Sequence, residues 1–236
     1  MRELGARLRR HAPAALLAGL AIAIAWAFAA TVLVHTRPMG LPLDDSYIYL
    51  TYAKQIGRGQ PFSYFPGGGY SAGSTSALWP FVLAPLWALG ARGHALVWAS
   101  YLVSAALYVV TVLGVRAVAA AIAGELAGVV AGVIALSIAP LAWAALSGME
   151  VAFATALLVT ALRLLLTAPT TGGPGWRLGA CLAALSLSRP EAMAIAFAIC
   201  GAVAAIARSM AAIPVAGSMP LRCATQPPSV MLIPSH

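Results

Sequence analysis

Asp44 and Asp45 stand side by side in a chain of 236 residues that has only six acidic side chains. They lie near the start of the one long polar, aromatic and glycine-rich interval, LPLDDSYIYLTYAKQIGRGQPFSYFPGGGYSAGSTS (residues 41–76). Ionisable groups beside apolar segments are costly and are therefore functional candidates. The plain reading of the pair is structural: an aspartate ahead of Ser46 caps a following helix by accepting hydrogen bonds from its first free amides. One carboxylate suffices for that, and the second is left over. Two chemistries suit it, taking a proton from an acceptor hydroxyl or binding a divalent cation that neutralises phosphate.

Glu150, in the segment SGME, sits at the junction of two apolar runs. It reads either as another helix-start carboxylate favoured by the helix dipole or as a site residue. Arg189-Pro190-Glu191 places two charges between two apolar halves. Proline keeps Arg189 out of helical geometry, so this is a break rather than a continuous span. The arginine there suits either pairing with Glu191 or bidentate binding of a lipid phosphate. Tyr47, Tyr49, Tyr52, Tyr64, Tyr70 and Trp79 make an aromatic belt that interface anchoring explains without a substrate. Within the loop, Tyr47, Tyr52, Lys54, Tyr70, Ser74 and Thr75 are the residues placed to hold a substrate.

These groups need a scaffold, and composition says which. The chain is 61% hydrophobic and 8% charged, with mean hydropathy +0.90, against about 25% charged residues in an ordinary soluble domain. Continuous apolar runs, rather than short alternating segments, exclude a transmembrane barrel. The expected fold class is all-α, a polytopic transmembrane helical bundle whose 22 glycines and many alanines allow close helix contacts. The net charge of +8 does not point to nucleic acid, because the basic residues are scattered singly apart from Arg2, Arg7, Arg9 and Arg10. That cluster reads as a cytoplasmic topology signal. Arg92 and Arg163 read as topology and snorkelling residues. Cys181, Cys200 and Cys223 have no metal-ligand spacing and read as packing residues. No HExxH, Walker loop or CxxC is present in the sequence.

In order, residues 1–12 are a basic cytoplasmic tail, and 13–208 form the transmembrane module. Its first span, 13–34, is favoured as an uncleaved anchor over a cleaved signal peptide because its apolar run exceeds a usual signal core. That puts the loop at 36–76 outside the cytoplasm, with an amphipathic helix over 46–56 lying along the membrane surface. A short second span is expected at 77–90, kinked by Pro80 and Pro85, then a cytoplasmic turn at Arg92-Gly93-His94. A third span follows at 95–115, then apolar runs at 126–146, interrupted by Pro140, and at 151–168. A turn at 170–175 precedes the halves 176–188 and 190–207, and residues 209–236 read as a disordered or aberrant tail. Strict alternation leaves Glu150 on the cytoplasmic side, away from Asp44. A re-entrant or half-depth helix near Pro140 or within 114–128 returns it to the outer side, and the sequence does not choose.

The segment LDDSYIYLTYAKQIGRGQPFSYFPGGGYSAGSTSALWP, followed by SGME and SRPEA, resembles the GT-C superfamily of membrane glycosyltransferases. The likeness is to arabinofuranosyltransferase- and mannosyltransferase-like members that use polyprenyl-phosphate sugars, and it covers residues 44–192. It implies an inverting transferase in the cell (inner or plasma) membrane, N-terminus cytoplasmic, with an extracytoplasmic glycan, lipid or protein as acceptor. By position, Asp44 is its base and Asp45 the partner, with Glu150, Arg189 and Glu191 as further site residues. Family members are longer, so the expectation is of an N-terminal portion. The alternatives are an inactive truncated remnant and a transporter subunit for a lipid-linked substrate.

Overall fold

A computed structural model describes residues 2–167 and 175–211. Among them the chain forms helices and no strands: α1 (Arg2–His35), α2 (Asp44–Ile56), α3 (Trp79–Ala88), α4 (His94–Ala123), α5 (Glu125–Ser137), α6 (Ala139–Leu146), α7 (Val151–Leu166), α8 (Gly175–Ser188) and α9 (Pro190–Ala211). Residues 170–174 of the turn expected at 170–175, Cys223, and residues 212–236 of the tail expected from 209 lie outside the described residues.

Two stretches are long and apolar enough to cross a bilayer, His11–His35 and His94–Ala123. Helices α5 and α6 make a third if taken as one broken span, bent by 67°. The bend falls at Ile138, with Pro140 in the first turn of α6. Proline removes a backbone donor and clashes with the preceding turn, so a continuous helix cannot run through it.

Side-chain contacts give the path of the chain. The Tyr101 hydroxyl of α4 donates to the Ala25 carbonyl of α1. Thr36, just past the end of α1, shares a cavity with His94 at the start of α4. The two helices are therefore antiparallel. Arg116 and Glu125 close the α4–α5 hairpin at the opposite end with an ion pair of 2.5 Å. Helix α7 runs alongside α4 in the same direction, joined by a 3.1 Å bond between Thr111 and Thr155. Helix α8 returns along α7, where the Cys181 thiol donates to the Leu157 carbonyl at 3.3 Å, and α9 turns back at Arg189. One end of the bundle, the loop end, thus gathers residues 36–78, the α6–α7 turn and the α8–α9 break.

Two expectations fail here. The apolar run at 77–90 is not a span: α3 has 10 residues, a rise of about 15 Å against a hydrocarbon core of about 30 Å. Pro80 sits in its first turn and so starts a helix rather than kinking one. Helix α3 packs against α2 instead. The guanidinium groups of Arg58 and Arg92 both lie over the Trp87 ring, 5.5 and 3.7 Å from its centroid. The connection at Arg92-Gly93-His94 consequently lies at the loop end, not at the far end as a second span would require. Helix α2 also differs from a surface-lying helix. Tyr49, Tyr52 and Ala53 are buried as the apolar stripe demands, but so are Ser46 and Gln55.

The apolar core has two parts. The larger joins α1, α2, α3, α4 and α6 around Trp79, Tyr108 and Leu146; the smaller joins α7, α8 and α9 around Leu178, Leu185 and Ala192. Close helix approach depends on missing side chains. A Cβ on Gly114 would stand 2.4 Å from Val159 Cγ2. Gly114→Leu is expected to cost about 1–3 kcal/mol, read as a lower unfolding midpoint of the detergent-solubilised chain. Gly179→Ala, with nothing within 4 Å of its added carbon, should lose nothing. The chain path is checked by single cysteines at the exposed positions Pro61, His94 and Ala123. An impermeant maleimide should label the first two from one side of the membrane and the third from the other. Labelling of His94 together with Ala123 would overturn the arrangement.

Candidate functional site

The turn Ser147-Gly148-Met149-Glu150 is the point where the loop end is held together. Ser46, in the first turn of α2, donates its hydroxyl to the Ser147 carbonyl at 2.7 Å. The Trp79 indole, opening α3, donates to the Gly148 carbonyl at 3.1 Å. Gly148 has φ +85°, a conformation that side-chain-bearing residues rarely adopt, and an added Cβ would stand 2.9 Å from Leu41 Cδ1. Backbone geometry favours glycine there, and any side chain would also displace the Leu41 methyls.

Clamping this turn delivers Glu150 into the interior, where it is 2% exposed. Its Oε1 lies 3.6 Å from Arg189 Nε, and Arg189 Nη2 pairs with Glu191 Oε1 at 2.5 Å. Glu150 Oε2 and Arg189 Nε are both buried without a hydrogen-bond partner among the described residues. Glu150 makes no side-chain cap to α7, so its carboxylate serves the arginine and not the helix start. The Tyr49 hydroxyl of α2 is 2.6 Å from Thr75 Oγ1. Burial, and next the neighbouring Glu150 carboxylate, push the Tyr49 phenol well above its ordinary range, so it stays a neutral hydroxyl. The α8–α9 break is tied in from below, since Leu187 O accepts from the amides of Ala77 and Leu78 at 3.2 and 3.3 Å.

All three acidic motifs therefore share one end of the bundle. The bent α5–α6 pair returns the chain to the loop end, so Glu150 lies beside Tyr49 and not on the far side. Asp44 and Asp45 occupy the first turn of α2, but neither caps it: the cap position is Leu43, in extended conformation, with no side-chain bond. Both aspartates are exposed, and neither forms a side-chain hydrogen bond or ion pair among the described residues. The positive end of the helix dipole favours them there. They offer oxygen ligands of the kind a hard divalent cation takes. No group of three or more His, Cys, Asp or Glu side chains accompanies them among the described residues.

The remaining candidates divide by environment. Tyr52 is buried and structural, its hydroxyl accepting from Gly73 N at 2.9 Å and pairing with Ser71 Oγ at 2.8 Å. Tyr47 accepts from Leu41 N at 2.8 Å and, with Lys54, lines a cavity of about 560 Å³ between α1, α2 and α4. Ser74 donates to Ser76 O at 2.6 Å, and Tyr70 is exposed. Sequence reasoning passes over Tyr49, Ser46 and His94. Tyr49 is one helical turn after Asp45, a signal that exists but that an apolar stripe also explains. His94 carries no signal, because its place depends on α3 not being a span. No family model, curated protein or solved structure matches the chain.

Glu150→Ala leaves Arg189 facing an empty half-buried space and is expected to cost about 1–3 kcal/mol. Tyr49→Phe removes one hydroxyl pair, worth about 0.5–1.5 kcal/mol. Unfolding midpoints should fall in the order wild type, Tyr49→Phe, Glu150→Ala. Wild-type stability in the last would refute the anchoring role of the pair.

Proposed function

We propose that this chain is a polytopic, GT-C-like membrane glycosyltransferase that uses a polyprenyl-phosphate sugar and faces the extracytoplasmic side with its loop end. The observation that carries the reading is the free, exposed aspartate pair at the N-terminus of α2, set on the same end as Glu150 and Arg189. Charge asymmetry supports the orientation. Arg7, Arg9 and Arg10 begin α1, and Arg116 and Arg163 line a cavity at the end away from the loop. An excess of arginine marks the cytoplasmic side.

In this reading Asp44 takes the proton from the acceptor hydroxyl as its oxygen attacks the anomeric carbon. The bond from that carbon to the phosphate oxygen breaks on the opposite face, and the lipid phosphate leaves with the electron pair, inverting the centre. Asp45 keeps the acceptor oriented or shares a cation with Asp44. The 560 Å³ cavity suits the donor. Lys54 and His94 carry donor groups at its rim, while Leu50, Leu96 and Val97 give it an apolar wall for a lipid chain. Glu150 and Arg189 hold the α6–α7 turn and the α8–α9 break in place beneath the reacting groups.

Asp44→Asn is expected to lower sugar transfer from radiolabelled polyprenyl-phosphate pentoses and hexoses by about 10²-fold or more. Membrane insertion should stay unchanged and thermal stability nearly so, because the side chain is exposed and forms no hydrogen bond or ion pair among the described residues. Full activity in that variant would overturn the assignment.

A further inference from the structure

A second, smaller cavity of about 120 Å³ opens between the C-terminal half of α2, the loop and α3. Its walls are the rings of Tyr52, Phe62, Tyr70 and Phe81, and its rim carries Ser71 and Ser74. No charged side chain lines it among the described residues. Liquid water takes about 30 Å³ per molecule, and sites for drug-sized ligands run to about 300–1,000 Å³. A space of this size takes one small ring and no more.

The aromatic wall is built at a cost. Phe62 is held at φ +58°, a left-handed conformation that is unfavourable for a residue with a bulky side chain. Ser71 N donates to its carbonyl at 2.7 Å and holds it there. That strain sets the Phe62 ring between Tyr70 and Phe81, with centroids 6.2 and 5.6 Å away. Tyr70 nevertheless remains 80% exposed, so its ring is not packed into a core. Exposed aromatic faces carry negative charge density, and they suit the C–H faces of a saccharide. The serine hydroxyls already hold one partner each, and a hydroxyl has further donor or acceptor capacity for a ring's own hydroxyls.

We infer that this cavity is a subsite for one neutral sugar ring of an extended acceptor, an inference that rests on the glycosyltransferase reading above. Tyr52 lies eight residues beyond Asp44 on α2, about 12 Å along the helix axis, which is longer than one ring. A sugar held here is consequently not the one whose hydroxyl meets Asp44, and the acceptor spans more than one unit. Ser74 lines the cavity while the adjacent Thr75 bonds Tyr49. The subsite is thereby joined to the buried Glu150 cluster through a single residue.

The test is saturation-transfer NMR on the full chain in a phosphocholine detergent, which contributes no sugar of its own. Mannobiose, galactobiose and arabinobiose serve as neutral probes, with glucuronic acid as the charged comparison. Wild type should bind at least one neutral disaccharide and prefer it to glucuronic acid. Tyr70→Ala should raise its Kd about two- to tenfold, and Tyr70→Phe should restore it. Because Tyr70 is exposed, its loss does not threaten the fold, and thermal unfolding of the variant checks this. Absence of binding to every neutral probe, or unchanged binding in Tyr70→Ala, would overturn the subsite and leave the rings as interface anchors. The readout needs no turnover. Sugar binding in a chain that transfers nothing would count against the transferase reading alone.

Discussion

A carboxylate at 2% exposure in a largely apolar bundle is the constraint on which the loop end depends. Burying an isolated ion costs several kcal/mol even after relaxation. Glu150 is tolerable only because Arg189 stands beside it, and Arg189 reaches it only because Pro190 breaks the α8–α9 helix at that depth. The break in turn frees Leu187 O, which accepts the amides of Ala77 and Leu78. One ion pair therefore sets the positions of α7, α8, α9 and the entry to α3. The second carboxylate oxygen remains without a hydrogen-bond partner among the described residues. The pair is thus a specifier of arrangement more than a large source of stability.

The rest of the bundle is held by different means. Between α4 and α7, and between α1 and α5, glycines allow the approach. A Cβ on Gly132 would stand 2.6 Å from Leu17 Cδ1, as one on Gly114 would meet Val159. In hydrocarbon such contacts rely on dispersion over closely fitted surfaces, since the hydrophobic effect gives helices no preference for each other over lipid. The loop end is polar and keyed, and the opposite end is small-residue packing closed by the Arg116–Glu125 pair.

That division explains what the sequence shows and what it hides. The first span, the break at Pro140 and the break at Pro190 are legible because each follows from local chemistry: a long apolar run, or a proline that cannot continue a helix. The status of residues 77–90 is not legible. Hydropathy counts apolar residues and cannot tell a bilayer crossing from a short helix packed on α2. Reading that run as a span moves His94 to the wrong end. The half-depth alternative near Pro140 is not needed: with 77–90 not a span, α4 carries the chain to the far end and the bent α5–α6 pair carries it back, which places Glu150 at the loop end. Tyr49 is hidden for another reason: one position serves an apolar stripe and a polar cluster, and periodicity reports only the first.

The two kinds of carboxylate in this chain differ by environment, and the difference separates their roles. Glu150 is enclosed, paired and fixed by a turn whose geometry favours glycine at Gly148. Any reaction that changed its charge would leave Arg189 with Glu191 as its one acidic partner among the described residues. Asp44 and Asp45 are exposed on the first turn of α2, favoured by the helix dipole and free of partners among the described residues. A proton or cation taken up there disturbs no packing. A group that must gain and lose charge repeatedly belongs where that costs little, and a group that fixes architecture belongs where any change costs much. On that physical ground the proposed chemistry falls to the aspartate pair, and the buried glutamate to the architecture that holds the turn under α2.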